Sequence, residues 1–93
     1  MRMSRITLTA PENTGGSGFC AAVVIDLIWA VTAPHDRVEH VAVRAVPGRI
    51  EIGVFTTLPD SAAARAAARS LAIRACDRSA LLHGWSWTTP GDG

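Results

Sequence analysis

Two adjacent segments in the middle of the chain alternate apolar and polar residues. Residues 38–46 and 49–57 follow this period of two, which is typical of strands that bury one face. Pro47 and Gly48 separate the segments, so the pattern predicts an antiparallel hairpin. An L-proline followed by glycine fits poorly into the two-residue turns that hairpins prefer, and we therefore expect a longer loop or a bulge there.

The alternation also assigns the side chains of this hairpin to two faces. The inward set is Val41, Val43, Ala45, Ile50, Ile52 and Val54. The outward set is His40, Ala42, Arg44, Glu51, Gly53 and Phe55. Because the outward set mixes aromatic, charged and small residues, it identifies no ligand, but it is open to a partner.

A helix is predicted over residues 60–78, directly after the hairpin. Asp60 and Ser61 follow a proline and form a helix start signal. One narrow stripe of the helix is predicted to be buried, and it contains Ala64, Ala68, Leu71, Ala75 and, beyond the helix, Leu82. Ile73 lies opposite this stripe and is predicted to be exposed. The arginines form two i, i+4 pairs on separate flanks, where we expect solvent: Arg65 with Arg69, and Arg74 with Arg78.

A second apolar segment, residues 19–31, contains a single charge at Asp26. If this segment is a helix, Ser17 is its predicted cap, and Asp26 and Trp29 lie on its outer side. The predicted buried side contains Cys20, Val24, Leu27, Ile28 and Val31. The β-branched run at residues 23–25 also suits a buried strand; we favour the helix because such a strand would be unusually long. A helix of this length spans roughly 20 Å, less than the ~30 Å of a bilayer core, so we expect no membrane span.

Strands are also predicted near both ends of the chain, over residues 4–9 and 83–88. The order strand, helix, strand, strand, helix, strand resembles the ferredoxin-like α/β plait, an α+β fold whose antiparallel sheet carries two helices on one face. This resemblance, which rests on element order alone, implies that the first and third strands are central and that the last strand is an edge. It also implies that the uncovered face serves dimerisation or ligand binding. We expect one domain over residues 1–89 and a flexible tail over 90–93.

The large apolar residues are the strongest indication of a partner surface. Trp29 and Ile73 face outward from their helices. Trp85 and Trp87 share one face of the last strand, and they are either core residues beneath the helices or part of the open face with Phe55. We therefore expect an interface that draws on these five residues.

The residues that most often carry chemistry form no catalytic, cofactor or metal motif. Gly15, Gly16, Ser17 and Gly18 precede a helix and offer backbone N–H groups to an anion, but they match neither the phosphate-binding loop nor the dinucleotide fingerprint. Cys20 is expected in the core, and Cys76 is expected to be a half-exposed, inert thiol. No metal or proton-transfer site is selected by the spacing of His35, His40, His83, Asp26, Asp36 and Glu39.

Composition narrows the classes of function. The chain has 93 residues and a net charge of +1, which argues against non-specific nucleic-acid binding. Two isolated cysteines indicate reduced thiols in a cytoplasmic protein. We expect a small non-enzymatic interaction or regulatory domain without a cofactor, self-associating through its sheet face, an edge strand or the outer face of its first helix. Two alternatives remain: a sensor with a small ligand at a dimer interface, and a small enzyme with an anion-binding glycine-rich loop.

Overall fold

The computed structural model describes residues 2–11 and 20–89, except for the side chain of Leu81. Along these residues the elements are β1 (Arg2–Thr9), α1 (Ala21–Val31), β2 (Val38–Val46), β3 (Arg49–Thr56), α2 (Ser61–Arg78) and β4 (Ser86–Thr88), with 3₁₀ turns at Pro34–Asp36 and Ala80–Leu82. The strands form one antiparallel sheet in the order β2-β3-β1-β4. The predicted α+β fold is confirmed, and the central β1 and β3 and the edge strand β4 agree with a ferredoxin-like plait. The predicted tail, residues 90–93, lies outside the described residues.

The hairpin of β2 and β3 is confirmed, but its turn is shorter than expected. Val46 pairs with Arg49, so Pro47 and Gly48 alone connect the strands. Gly48 has a φ of 75°, which after a proline is the combination found in type II turns. The prediction of a longer loop or bulge was wrong because Gly48 adopts a left-handed conformation that closes the turn in two residues. A register shift lies instead at the other end of β2.

The two helices cover one face of the sheet, and the core lies between the two layers. Its larger fully buried side chains are Ile6, Leu8, Val24, Ile28, Ile50, Ile52, Val54, Leu71 and Leu82. The predicted alanine stripe of α2 is buried, and it is wider than expected because Ala67 and Ala72 are buried as well. Since alanine side chains are short, α2 lies close to the sheet, and the larger strand residues supply most of the buried apolar area.

The segment with two open interpretations is a helix, α1. Val24, Ile28 and Val31 are buried as predicted, and Leu27 packs partly against the core. Cys20, however, was predicted to be buried and is exposed. The prediction was wrong because α1 begins after Cys20, whose extended backbone (φ −71°, ψ 132°) takes it out of the helical periodicity. The predicted cap, Ser17, lies outside the described residues.

The last strand is shorter than predicted because the chain turns before it. The His83 N–H donates to the Ala80 carbonyl oxygen, and the Trp85 N–H donates to the Leu82 carbonyl oxygen. Gly84 has a φ of 86°, which interrupts an extended strand. Only the last three residues of the predicted strand therefore pair with β1.

A buried ion pair joins α2 to the chain that follows α1. Arg74 Nη2 lies 3.0 Å from both carboxylate oxygens of Asp36, and Arg74 Nη1 donates to the Val31 carbonyl oxygen at 2.7 Å. Asp36 Oδ2 also accepts from the Ala33 N–H at 2.8 Å. The side chains of Asp36 and Arg74 are 2% and 20% exposed. The prediction of a solvated Arg74 was wrong because the 3₁₀ turn folds back beside α2 and places a carboxylate there.

Candidate functional site on the open sheet face

The face of the sheet opposite the helices, here called the open face, carries a grid of side chains. Each row takes one residue from each of the neighbouring strands β2, β3 and β1. The rows are His40, Phe55 and Met3; then Ala42, Gly53 and Arg5; then Arg44, Glu51 and Thr7. The predicted outward set of the hairpin is thus confirmed, with Gly53 at the centre of the grid, and β1 adds three residues to it.

Neither the backbone conformation nor close packing requires a glycine at position 53. Its φ lies outside the positive region, and an added Cβ would meet Met3 Sδ and Phe55 Cε1 at 3.7 Å, which is ordinary van der Waals contact. Glycine inside a strand weakens it by about 0.5–1 kcal/mol relative to alanine. Such a glycine often marks a site where a ligand or another backbone approaches closely. Gly53 therefore leaves space at the centre of the open face where a side chain fits.

A depression of about 660 Å³ lies over this centre. Met3 and Phe55 line one end of it, and Arg44 and Glu51 line the other. Met3 is 46% exposed, and the Phe55 ring lies 5.4 Å from the His40 ring, tilted by 52°. One end of the depression is therefore apolar and the other is charged.

The charged end of the open face contains a carboxylate between two arginines. Glu51 Oε1 lies 3.9 Å from Arg44 Nη1, and Glu51 Oε2 lies 3.7 Å from Arg49 Nε. Because these side chains are all more than two fifths exposed, each pair contributes at most about 1 kcal/mol to stability. Arg5 has no ion-pair partner among the residues that the structure describes. Its guanidinium is therefore available to a binding partner.

The other residues predicted for an interface lie away from the open face. Trp87 pairs with a fully buried residue of β1, so it points towards the helices. Trp85 and Trp87 both pack partly against the core, as in the core alternative. Trp29 and Ile73 are each 43% exposed, on the helix layer. Of the five predicted residues, the open face contains Phe55 alone.

Trp29 lies beside the edge strand β2. Together with Pro34, Arg37, Val38 and Glu39 it lines a shallow hollow of about 490 Å³. Because α1 covers the other side of the sheet, this hollow is separate from the open face. The helix layer thus carries a second, smaller surface on which an apolar side chain is exposed.

Among the described residues, those considered for metal binding form no cluster. The glycine-rich loop of Gly15, Gly16, Ser17 and Gly18 lies outside the described residues. The two cysteines are free thiols, and partial burial, with a smaller effect of the Asp77 charge, raises the pKa of Cys76. Within residues 2–11 and 20–89, no group of three His, Cys, Asp or Glu side chains is placed to hold a metal ion. Across the same residues, no helix has the length and apolar character needed to cross a bilayer.

Met3 and Arg5 belong to the open face and were missed from the sequence. The predicted first strand began at residue 4, and its outward side was not joined to that of the hairpin. The resemblance to the ferredoxin-like plait could have identified them. It places β1 beside β3, and the outward residues of β1 then lie next to Phe55 and Gly53.

Comparisons of the chain with protein families, with curated proteins and with solved structures find no significant match.

Proposed function

We propose that this chain is a small non-enzymatic interaction domain that forms a homodimer through its open face. Gly53 carries the proposal, because the centre of the face lacks a side chain that the strand has room for. Glycine at such a position is typical of a strand that another surface approaches. We take that surface to be a second copy of the chain.

The charges of the open face support a second copy as the partner. A two-fold dimer uses the same patch on both subunits, so the patch must complement itself. The open face carries both signs, with Arg5 and Arg44 close to Glu51 in the grid. A facing copy therefore offers a carboxylate to Arg5, which pairs with none among the described residues of its own chain. Met3 and Phe55 add apolar surface that the facing copy removes from water.

The proposal includes a cytoplasmic location. Cys20 is exposed, Cys76 is partly buried, and both are free. Free thiols are typical of reducing compartments, whereas secreted domains of this size tend to use their cysteines in disulfides. The proposed role of the dimer is regulatory or accessory.

Light scattering coupled to size-exclusion chromatography tests the dimer. We expect the wild-type chain to elute at twice its monomer mass. Phe55→Glu places a charge in the apolar row of the open face and should yield a monomer at the same concentration. Ile73→Glu is the matched control, because Ile73 is similarly apolar and lies on the helix layer; this variant should remain dimeric.

Circular dichroism of each variant checks that the fold is retained. A wild-type chain that stays monomeric at millimolar concentration would disprove self-association. Dissociation by Trp29→Glu, with Phe55→Glu still dimeric, would place the interface on the helix layer beside β2 and overturn the assignment to the open face.

A further inference from the structure

We infer that the depression over Gly53 binds a small planar aromatic carboxylate, with its ring against Met3 and Phe55 and its carboxylate on Arg5 and Arg44. The inference rests on the proposed dimer, because the depression is open on one side. Small-molecule sites bury roughly 70–90% of the ligand surface, which a facing copy would accomplish here.

The shape of the depression fits a flat ring of modest size. Its volume of about 660 Å³ falls within the range of about 300–1,000 Å³ that is usual for small-molecule sites. Ala42 and Gly53 form a low floor, on which a planar group can lie against the strands. The edges of Phe55 and the sulfur of Met3 border this floor, and both make favourable contacts with aromatic rings.

The charge of the depression fits an anion. Its charged lining residues are two arginines, Arg5 and Arg44, and one acid, Glu51, which is already held between Arg44 and Arg49. On an ideal sheet the Cα atoms of Arg5 and Arg44 lie about 12 Å apart, so both guanidinium groups can reach one anion between them. A guanidinium binds a carboxylate through two parallel hydrogen bonds. Within its own chain Arg5 has no ion-pair partner among the described residues, and a ligand carboxylate would replace the one that a facing copy offers in the ligand-free dimer.

Three probes separate the contribution of the ring from that of the charge. 2-Naphthoate has both, 2-naphthamide has the ring without the charge, and acetate has the charge without the ring. We expect NMR titration to give a dissociation constant of about 1 mM or tighter for naphthoate, and values at least about tenfold weaker for the other two. The amide signals of Gly53 and Phe55 should shift most.

Arg5→Gln is the test of the charge contact, and Arg78→Gln on exposed α2 surface is its control. We expect Arg5→Gln to weaken naphthoate binding at least about tenfold and to leave naphthamide binding unchanged. Equal binding of naphthoate and naphthamide, or no effect of Arg5→Gln, would overturn the inference.

Light scattering on the same samples separates this inference from the proposed dimer. A wild-type dimer that binds no naphthoate would refute the ligand and leave the dimer intact. A wild-type chain that stays monomeric would refute the dimer and, with it, the closed site that the inference requires.

Discussion

The two faces of the same sheet differ in what their side chains interact with. On the covered face, residues such as Ile6, Ile52 and Val54 are completely buried beneath the helices. On the open face, their immediate neighbours Arg5, Gly53 and Phe55 meet solvent in whole or in part. Because successive residues of a strand point to opposite sides, a single sequence pattern encodes both faces. The covered face stabilises the fold, and the open face lies outside the core.

The ion pairs of the helix layer and of the open face also differ in burial. The pair of Arg74 and Asp36 is nearly buried, short and joined to backbone groups at both ends. The pairs of Glu51 with Arg44 and Arg49 are long and exposed. A buried pair is difficult to break without loss of stability, whereas exposed pairs exchange partners at little cost. This contrast predicts a graded set of mutational effects.

The largest effect is expected in the helix layer. Arg74→Met leaves the buried Asp36 carboxylate without its countercharge, which should lower the free energy of unfolding by about 3–5 kcal/mol. Urea denaturation measures this change. Arg78→Met, four residues along the same helix and exposed, is the control and should change stability by less than about 1 kcal/mol. Equal effects of the two substitutions would show that the buried pair has no special role.

A double-mutant cycle sharpens this prediction. Asp36→Asn keeps an oxygen that can accept from the Ala33 N–H but removes the charge. Combined with Arg74→Met, it should destabilise by less than the sum of the single changes, with a coupling of about 1–3 kcal/mol. Strict additivity would contradict the interaction seen between the two side chains.

An opposite effect is expected at the centre of the open face. Gly53→Ala adds a Cβ that meets only ordinary van der Waals contacts, so in dilute solution it should raise the free energy of unfolding by about 0.5–1 kcal/mol. The same substitution should weaken dimer formation in light scattering. Gly48→Ala is the matched control and should destabilise, because a residue with a Cβ is strained at a φ of 75°. A destabilised Gly53→Ala would mean that the backbone needs glycine there after all.

The smallest effect is expected at the exposed carboxylate. Glu51→Gln removes both long ion pairs of the open face and should change the free energy of unfolding by less than about 1 kcal/mol. Raising the salt concentration should shrink the difference between the two proteins. If Glu51→Gln lowered the free energy of unfolding as much as Arg74→Met does, the ion pairs of the open face and of the helix layer would not differ in their contribution to stability.

The elements with a clear local pattern could be predicted from the sequence. The period-two alternation of the hairpin identified its buried face, and the apolar stripe of α2 identified Leu71 and its alanines. The same local logic failed at Cys20 and at Gly84, because a helix boundary and a left-handed glycine change side-chain direction within one residue. Sequence periodicity describes the interior of elements better than their ends.

Features that depend on distant residues could not be predicted in the same way. Arg74 and Asp36 lie in different elements, and no spacing rule connects them. The open face was predicted only in part, since Phe55 and Gly53 follow from the hairpin alone whereas Met3 and Arg5 need the pairing of β1 with β3. The chemistry of the site therefore becomes visible only when tertiary structure aligns separate strands.

The central place of β1 has a consequence for how the chain folds. β2 and β3 can pair from their tight turn as soon as both are synthesised, but β1 has no neighbour until they are complete: its closest pairing in sequence joins Thr9 to Arg49. The strand made first must therefore enter the middle of the sheet late, after closure of a long loop. Until then Ile6 and Leu8, which are fully buried in the folded chain, lack their cover, and apolar strands exposed in this way favour aggregation.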